Sequence, residues 1–391
     1  MKKILMITFL FATLIADAQT NRLTVNSGIK LPKDSIESVQ LVSALNDFLD
    51  AIQQDNTEKW VLPSEKFETE LLTDEMKGMD KNDSIDFKPY LINVEALADK
   101  KTYSVQVSYA GIHGNTPVLR AIFELIAHKT ENGFRFSSPL SRNTRNWFKK
   151  NVGYMTYRYQ STVAEKVLEQ IANTIIEYDK KLNSNKPTDI YVCDDCDDMV
   201  CMLRLAGINY LMDINGFNWF STNFTVTDKY IAIYTQSLLR EKEVDMHDWF
   251  HWRANTVIPV EIRNHYMVCG CANIYAGSWE YSWEEIQKMF KAKMKYDKKT
   301  DWLKLYFERR YDFGESQAKP LLITQFINSL IIQKVEKEQG FSAVTELLAS
   351  GNMYNDRENF FRILEKVTGI NEKNFNKEVE KLIQNIDISP S

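Results

Sequence analysis

Few cysteines, few glycines and no long hydrophobic run characterise this sequence of 391 residues. Its 5 cysteines, 14 glycines and 9 prolines indicate neither a dense disulfide scaffold nor a low-complexity chain. No stretch approaches the ~18 uncharged apolar residues of a membrane-spanning helix, so we predict no membrane span. The formal net charge of -5 is small and spread along the chain, which excludes nucleic acid as an expected partner.

The first 18 residues have the composition of an export signal. Two lysines at positions 2 and 3 precede an apolar run, and the small-residue sequence ADA at positions 16–18 provides a cleavage site. This order is typical of a secretory signal peptide, and the run is too short to cross a bilayer. We therefore expect cleavage after residue 18 and a mature protein that is periplasmic or extracellular.

The five cysteines form two groups. Cys193, Cys196 and Cys201 lie in YVCDDCDDMVC, whereas Cys269 and Cys271 lie in YMVCGCANIY. In an oxidising compartment the simplest arrangement is two disulfides and one remaining thiol, because an odd number of cysteines cannot all pair. A zinc site built from the first group is a weaker alternative, since that group has no second CxxC pair.

Hydrophobic periodicity predicts an accessory domain over residues 34–146. Apolar residues at helical spacing between positions 34 and 55 predict an amphipathic helix. Four strand-like segments follow, from YLINVEALAD to GFRFSSPL, separated by DKK, HGNTP and ENG. A helix followed by an antiparallel meander is an α+β arrangement. Its element order resembles the cone-shaped fold of nuclear transport factor and the SnoaL-like proteins, which implies a concave sheet that binds small molecules.

Residues 150–385 are predicted to form a second α+β domain, with a small mixed sheet and a mainly helical C-terminal half. The segments YMTYRY, TDIYVCD and KYIAIYT are predicted strands, and the long amphipathic pattern between the first two predicts a helix. After Thr235 the pattern is almost entirely helical. Strands first and helices afterwards is typical of a sheet packed on a helical body.

The sequence HDWFH, at positions 247–251, carries the main chemical signal. Two histidines spaced four apart project from the same face of a helix and can bind one zinc ion. The residue after the first histidine normally supplies the carboxylate that activates a metal-bound water, and here that residue is Asp248. Three of the five histidines, His247, His251 and His265, fall within nineteen residues. The spacing alone is common by chance, so the next segment matters.

That segment, CGCANIY at positions 269–275, gives the chain a resemblance to the gluzincin metallopeptidases, the group that includes thermolysin and the aminopeptidase-like enzymes. In that family a second helix carries a glutamate ligand in a pattern like E-G-x-A-x-x-Y. Gly270, Ala272 and Tyr275 match it, and Cys269 stands in place of the glutamate. The resemblance covers roughly residues 150–385. It implies a site made of the zinc ligands His247, His251 and Cys269 and the general base Asp248.

Several positions depart from the family pattern. Asp248 is one methylene shorter than glutamate, which withdraws its oxygen by roughly 1.5 Å, and an error of about an ångström can lower a rate ~100-fold. A Cys269 thiolate is a good zinc ligand but makes a bound water less acidic. His265, one turn before Cys269, is a candidate substitute ligand or a partner of a ligand, although its position favours an ordinary surface histidine. The nearest tyrosines that could stabilise an oxyanion are Tyr306 and Tyr311.

The rest of the HDWFHWR segment is aromatic and basic. Trp249, Phe250 and Trp252 are predicted to be buried in the domain, as aromatic residues on such a helix usually are. Arg253 is a further departure, because this position is usually apolar in the family's helix.

The departures favour a pseudopeptidase, an exported gluzincin-like protein that acts as a binding or structural module for a peptide or protein and can retain zinc. The alternative is an active zinc metallopeptidase with Asp248 as general base and a zinc site formed by His247, His251 and Cys269. A third interpretation is an unrelated fold in which HDWFH is accidental. The state of Cys269 distinguishes them, since a thiolate supports metal binding and a disulfide removes the third ligand.

Overall fold

The computed structural model divides the chain into two compact units, residues 1–139 with 206–215, and residues 140–205 with 216–391. The residues it describes are 22–79, 81–82, 85–160, 165–193, 203–211, 223–226, 229–235, 246–294, 299–308, 311–316 and 319–386. The predicted signal peptide, Cys196 and Cys201 lie outside them. Among the described helices, none combines the length and the apolar character needed to cross a membrane.

Helices and strands occur in both units, which confirms the α+β prediction. The strands in chain order are β1 (Thr24–Val25), β2 (Lys81–Asn82), β3 (Ile85–Asp86), β4 (Lys88–Ala96), β5 (Thr102–His113), β6 (Thr116–Thr130), β7 (Gly133–Ser137), β8 (Phe148–Val152), β9 (Met155–Tyr159), β10 (Thr188–Cys193), β11 (Ile208–Tyr210), β12 (Asn223–Val226) and β13 (Lys229–Thr235). The helices are α1 (Ser35–Gln53), α2 (Lys66–Met76), α3 (Leu140–Asn143), α4 (Glu165–Leu182), α5 (Met246–Val257), α6 (His265–Ala276), α7 (Trp283–Lys293), α8 (Trp302–Phe307), α9 (Ile323–Gln339), α10 (Phe341–Leu348), α11 (Arg357–Thr368) and α12 (Phe375–Gln384).

The first unit packs helix α1 against an antiparallel meander, as its sequence predicts. Helix α1 begins after Asp34, whose carboxylate accepts hydrogen bonds from two backbone N–H groups of the first turn. Strands β4, β5, β6 and β7 pair antiparallel in chain order. Alternate residues of β5, such as Val105 and Val107, are fully buried. Phe48 of α1 stacks on Phe136 of β7 with ring centroids 4.8 Å apart, which fixes the helix on the sheet.

Strand β11 joins the sheet of the first unit although it lies far along the chain. It pairs antiparallel with residues 121–123 of β6, and it falls inside the range 150–385 that the sequence assigns to the second domain. Three residues are too short to show a hydrophobic period, so the sequence pattern could not assign this strand to either domain.

The contact between Glu75 and Tyr210 makes the stability of the first unit depend on pH. The Tyr210 hydroxyl of β11 donates a hydrogen bond to the Glu75 carboxyl group of α2. Burial raises the pKa of Glu75 to about 7, and the charge of Asp74 adds to the rise, while the Tyr210 hydrogen bond opposes it. Because the folded carboxyl holds its proton more tightly than the unfolded one, its ionisation weakens the folded state as the pH rises from about 4.5 to about 7.

We expect Glu75→Gln to remove this pH dependence while keeping an acceptor for Tyr210. Wild type should lose up to about 3 kcal/mol of unfolding free energy, relative to the variant, between about pH 5 and about pH 8. Urea unfolding of both proteins at the two pH values measures the difference. Parallel pH profiles for the two proteins would show that Glu75 titrates normally.

The second unit contains a five-stranded mixed sheet in the order β12-β13-β10-β9-β8. Its three central strands are parallel, and β8 and β12 pair antiparallel at the two edges. Helix α4 forms the crossover between β9 and β10, since parallel neighbours need a long connection. From residue 246 to residue 386 the regular elements of the described chain are helices. The predicted small mixed sheet and mainly helical C-terminal half are therefore confirmed.

Candidate metal centre

Helix α5 carries HDWFH and is held in the core by its aromatic residues. Trp249 and Phe250 are 1% and 0% exposed, which confirms their predicted burial, while Trp252 is half-buried. The Phe250 ring meets the edge of Tyr178 from α4, with centroids 5.2 Å apart. Because the helix is fixed in this way, the side chains of His247 and His251 are held in place beside each other.

The structure brings together the three side chains that the sequence proposed as metal ligands. One donor atom from each of His247, His251 and Cys269 lies within 4.8 Å of the other two. The two imidazole rings are one helical turn apart with centroids at 5.1 Å, and Cys269 comes from the neighbouring helix α6. This group of nitrogen and sulfur donors could hold a metal ion.

A backbone carbonyl orients the first of these rings. Nδ1 of His247 lies 2.7 Å from the carbonyl oxygen of Gly277. Because a carbonyl oxygen only accepts hydrogen bonds, Nδ1 must carry the proton, and in the neutral ring Nε2 is then the unprotonated nitrogen. Metal-binding histidines commonly have such a partner, which fixes both the tautomer and the ring orientation.

The carbonyl of Gly277 is available because of the turn that ends α6. Gly277 has a φ of +76°, and a Cβ there would meet the Tyr281 carbonyl oxygen at 2.0 Å. Only glycine fits this conformation and this close approach, so the turn is one reason that the His247 partner has its position.

Burial keeps His251 and Cys269 uncharged in the metal-free protein. The pKa of His251 lies well below its ordinary value because the ring is buried, and the positive charges of His247, His265 and Arg263 lower it further. Burial, followed by the negative charge of Asp248, raises the pKa of the Cys269 thiol to about 12, against a hydrogen bond with Gln325. A thiol in this state is a poor nucleophile, so the group does not have the properties of a cysteine-protease site.

The cysteines of α6 are thiols. Cys269 and Cys271 are both buried, and neither forms a disulfide. They point to different sides of the helix, because residues two apart on a helix do not share a face. With these two of the five cysteines unpaired, the chain can form at most one disulfide, so the expectation of two disulfides is wrong. Cys269 keeps the thiol that metal binding requires.

His265, proposed as a substitute ligand or partner, lies beside Cys269. Its Nε2 is 3.6 Å from the Cys269 Sγ, and its ring centroid is 5.0 Å from that of His251. The pKa of His265 is lowered by desolvation and by the charges of His247 and Arg263. The His251 ring therefore has both His247 and His265 as neighbours.

Asp248 and the two tyrosines have different surroundings. Asp248 is partly exposed and lies close enough to raise the pKa of Cys269 through its charge. Tyr306 is 0% exposed, and its hydroxyl donates to Asn328 Oδ1 at 2.6 Å, so it serves the core and not an oxyanion. Tyr311 is 36% exposed. Tyr306 and Tyr311, the two candidate oxyanion donors, therefore differ in exposure.

The positions that match E-G-x-A-x-x-Y have structural roles of their own. A Cβ at Gly270 would lie 2.8 Å from the Cβ of Asn328, so glycine permits the close approach of α6 and α9. Ala272 is fully buried. The Tyr275 hydroxyl donates to Glu336 of α9, which also pairs with Lys181 at 2.6 Å. These residues hold α6 against α9, and this packing contributes to the burial of Cys269.

Arg253, which departs from the family pattern, forms a buried ion pair. Its Nε and Nη2 donate to the two carboxylate oxygens of Asp179, each at 2.7 Å, and its Nη1 donates to Thr188 Oγ1 at 2.8 Å. The Tyr154 hydroxyl donates to the same carboxylate at 2.5 Å. The departure therefore fastens α5, and the histidines it carries, to α4 and β10.

Two residues near the centre carried no signal in the sequence. Gln325 of α9 hydrogen-bonds to Cys269, and the Arg263 guanidinium places its charge near His251 and His265. Gln325 is 56 positions from Cys269 along the chain, and such a distance hides a contact from pattern analysis. Arg263 precedes α6 in a loop without a motif.

Comparison with known proteins adds no family to this description. No protein-family model matches the sequence, and no curated protein is significantly similar to it. The resemblance to gluzincins and to the cone-shaped fold stays a prediction, supported by the motif residues and the element order.

Proposed function

We propose that this protein is an exported, zinc-binding pseudopeptidase of gluzincin type, which acts as a binding or structural module for a peptide or protein. The observation that carries the proposal is the convergence of His247, His251 and Cys269, whose donor atoms lie within 4.8 Å of one another. Two imidazoles and one thiolate suit zinc, whereas magnesium and calcium prefer oxygen ligands. Buried donors with an oriented first histidine add support.

The chemistry of the surrounding residues favours binding over catalysis. A zinc ion in such a site would act as a Lewis acid when bound. Asp248 would have to hold a water proton with a carboxylate about one methylene too short. The Cys269 thiolate adds negative charge beside that water and disfavours its ionisation. Tyr306 is committed to Asn328, so it cannot stabilise an oxyanion.

The first test is elemental analysis of the mature protein after export into an oxidising compartment. We expect about one zinc per chain in wild type and, after dialysis against a chelator, none in His247→Ala, because that variant loses a ligand of the site. His113→Ala is the matched control, since His113 is an exposed residue of β5 and should leave the zinc content unchanged. Absence of zinc from wild type, or equal zinc in His247→Ala, would contradict the proposed site.

Peptide hydrolysis by the zinc-loaded protein separates the two functions. A pseudopeptidase should show no cleavage of a mixed peptide library above that of His247→Ala. Cleavage that is lost in Asp248→Asn while zinc remains bound would instead establish the alternative, an active metallopeptidase with Asp248 as general base.

A further inference from the structure

We infer that His265 is a fourth protein ligand, so that the metal centre is a closed site of three histidines and one cysteine. The inference rests on the proposed zinc site formed by His247, His251 and Cys269. It changes the character of that site, because catalytic zinc keeps one position open to water, whereas structural zinc has four protein ligands.

The distance between His265 and Cys269 fits two ligands of one tetrahedral ion. Zinc binds sulfur at about 2.3 Å and nitrogen at about 2.0–2.1 Å, which places two tetrahedral ligands of these kinds roughly 3.5 Å apart. Nε2 of His265 lies 3.6 Å from Sγ of Cys269. A direct N–H···S hydrogen bond and a shared ion have similar spacing, and the His251 ring beside His265 favours the shared ion.

The donors of His247, His251 and Cys269 lie within 4.8 Å of one another, and His265 lies at the edge of this group. The His251 ring is 5.1 Å from His247 and 5.0 Å from His265, measured between centroids, so it has a histidine on each side at equal distance. His265 and Cys269 are separated by four residues on α6, as His247 and His251 are on α5. Each helix therefore presents one pair of donors spaced by one turn toward the other.

The exposure of the four side chains indicates what His265 would do. His251 and Cys269 are 9% and 3% exposed, whereas His265 is exposed and His247 is half-buried. His265 therefore occupies the solvent side of the group. In this position its imidazole would take the coordination site at which a substrate or a water molecule would otherwise approach the ion.

Cobalt substitution tests the coordination number without an assay of activity. Wild type loaded with Co²⁺ should show a thiolate-to-cobalt charge-transfer band and the intense visible bands of a tetrahedral ion. Added azide should leave this spectrum unchanged, because no position is open. In His265→Ala the charge-transfer band should persist and azide should now shift the visible bands. His113→Ala serves as the unchanged control.

Affinity for Zn²⁺ provides a second readout. Loss of an outer partner of a ligand lowers metal affinity by about 10- to 100-fold, so loss of a ligand should lower it by at least about 100-fold in His265→Ala. A wild-type spectrum that azide shifts, or equal affinities in the two proteins, would overturn the fourth ligand and leave the three-ligand site intact. A wild type without the charge-transfer band would overturn both.

Discussion

Arg253→Ala should lower the free energy of unfolding of the second unit by about 3–5 kcal/mol, because it leaves the Asp179 carboxylate buried without its cation. The Arg253 and Asp179 side chains are 0% and 1% exposed. Thr188 Oγ1 and the Lys186 carbonyl would each also lose one hydrogen bond. Chemical denaturation of wild type and variant, followed by tryptophan fluorescence, measures the difference.

A matched variant on α4, the helix of Asp179, separates the effect of a buried ion pair from that of an exposed one. Lys180 is next to Asp179 on α4, and its pair with Glu177 is exposed, at 65% and 63% for the two side chains. Lys180→Ala should therefore change stability by less than about 0.5 kcal/mol. If Arg253→Ala is equally mild, the buried ion pair does not fasten α5.

A double variant tests whether the ion pair stabilises the fold more than two apolar side chains of similar volume would. Replacing both members by apolar residues of similar volume, Arg253→Met with Asp179→Leu, removes the unpaired charge and should recover most of the loss. Buried ion pairs exchanged for apolar residues are often neutral in stability. Failure of the double variant to recover would show that the hydrogen bonds to Thr188 and Tyr154 carry the effect.

The ion pair also shows where sequence patterns stop being informative. The period of apolar residues predicts the helix that carries HDWFH, and its i, i+4 spacing predicts that His247 and His251 share a face. Asp179 lies 74 residues before Arg253, so their contact depends on the packing of α4 against α5. A lone arginine beside aromatic residues therefore looked like a departure from the motif, although it positions the motif.

The candidate metal ligands likewise combine contacts that the sequence predicts with contacts that depend on helix packing. Cys269 and His265 are four apart on one helix and could be paired from sequence. Their approach to His247 and His251 depends on how α5 packs against α6, and on Gly270, which lets α6 approach α9. These are tertiary relations without a local signature. Strand β11 was missed for a different reason, since its pairing with β6 is long-range and its length is three residues.

Zinc affinity is expected to rise about tenfold per pH unit between about pH 7 and about pH 10, because binding must displace one proton. In the metal-free protein burial and Asp248 hold the pKa of Cys269 at about 12, so the thiol is protonated throughout this range. His251 is already neutral, since its pKa lies well below its ordinary value. The thiol is therefore the group that must release a proton in this range.

Competition with a chelator of known affinity measures the slope, and a pH indicator should report about one proton released per zinc bound. An ordinary thiol, with a pKa of about 8.5, would flatten the profile above that pH, whereas the raised pKa of Cys269 keeps it rising. Cys269→Ala should bind zinc more weakly and without this slope, because its remaining donors are imidazoles. A wild-type profile that levels off near pH 8.5 would show that Cys269 is not the buried, neutral thiol the structure contains. A profile unchanged by Cys269→Ala would remove the cysteine from the ligand set.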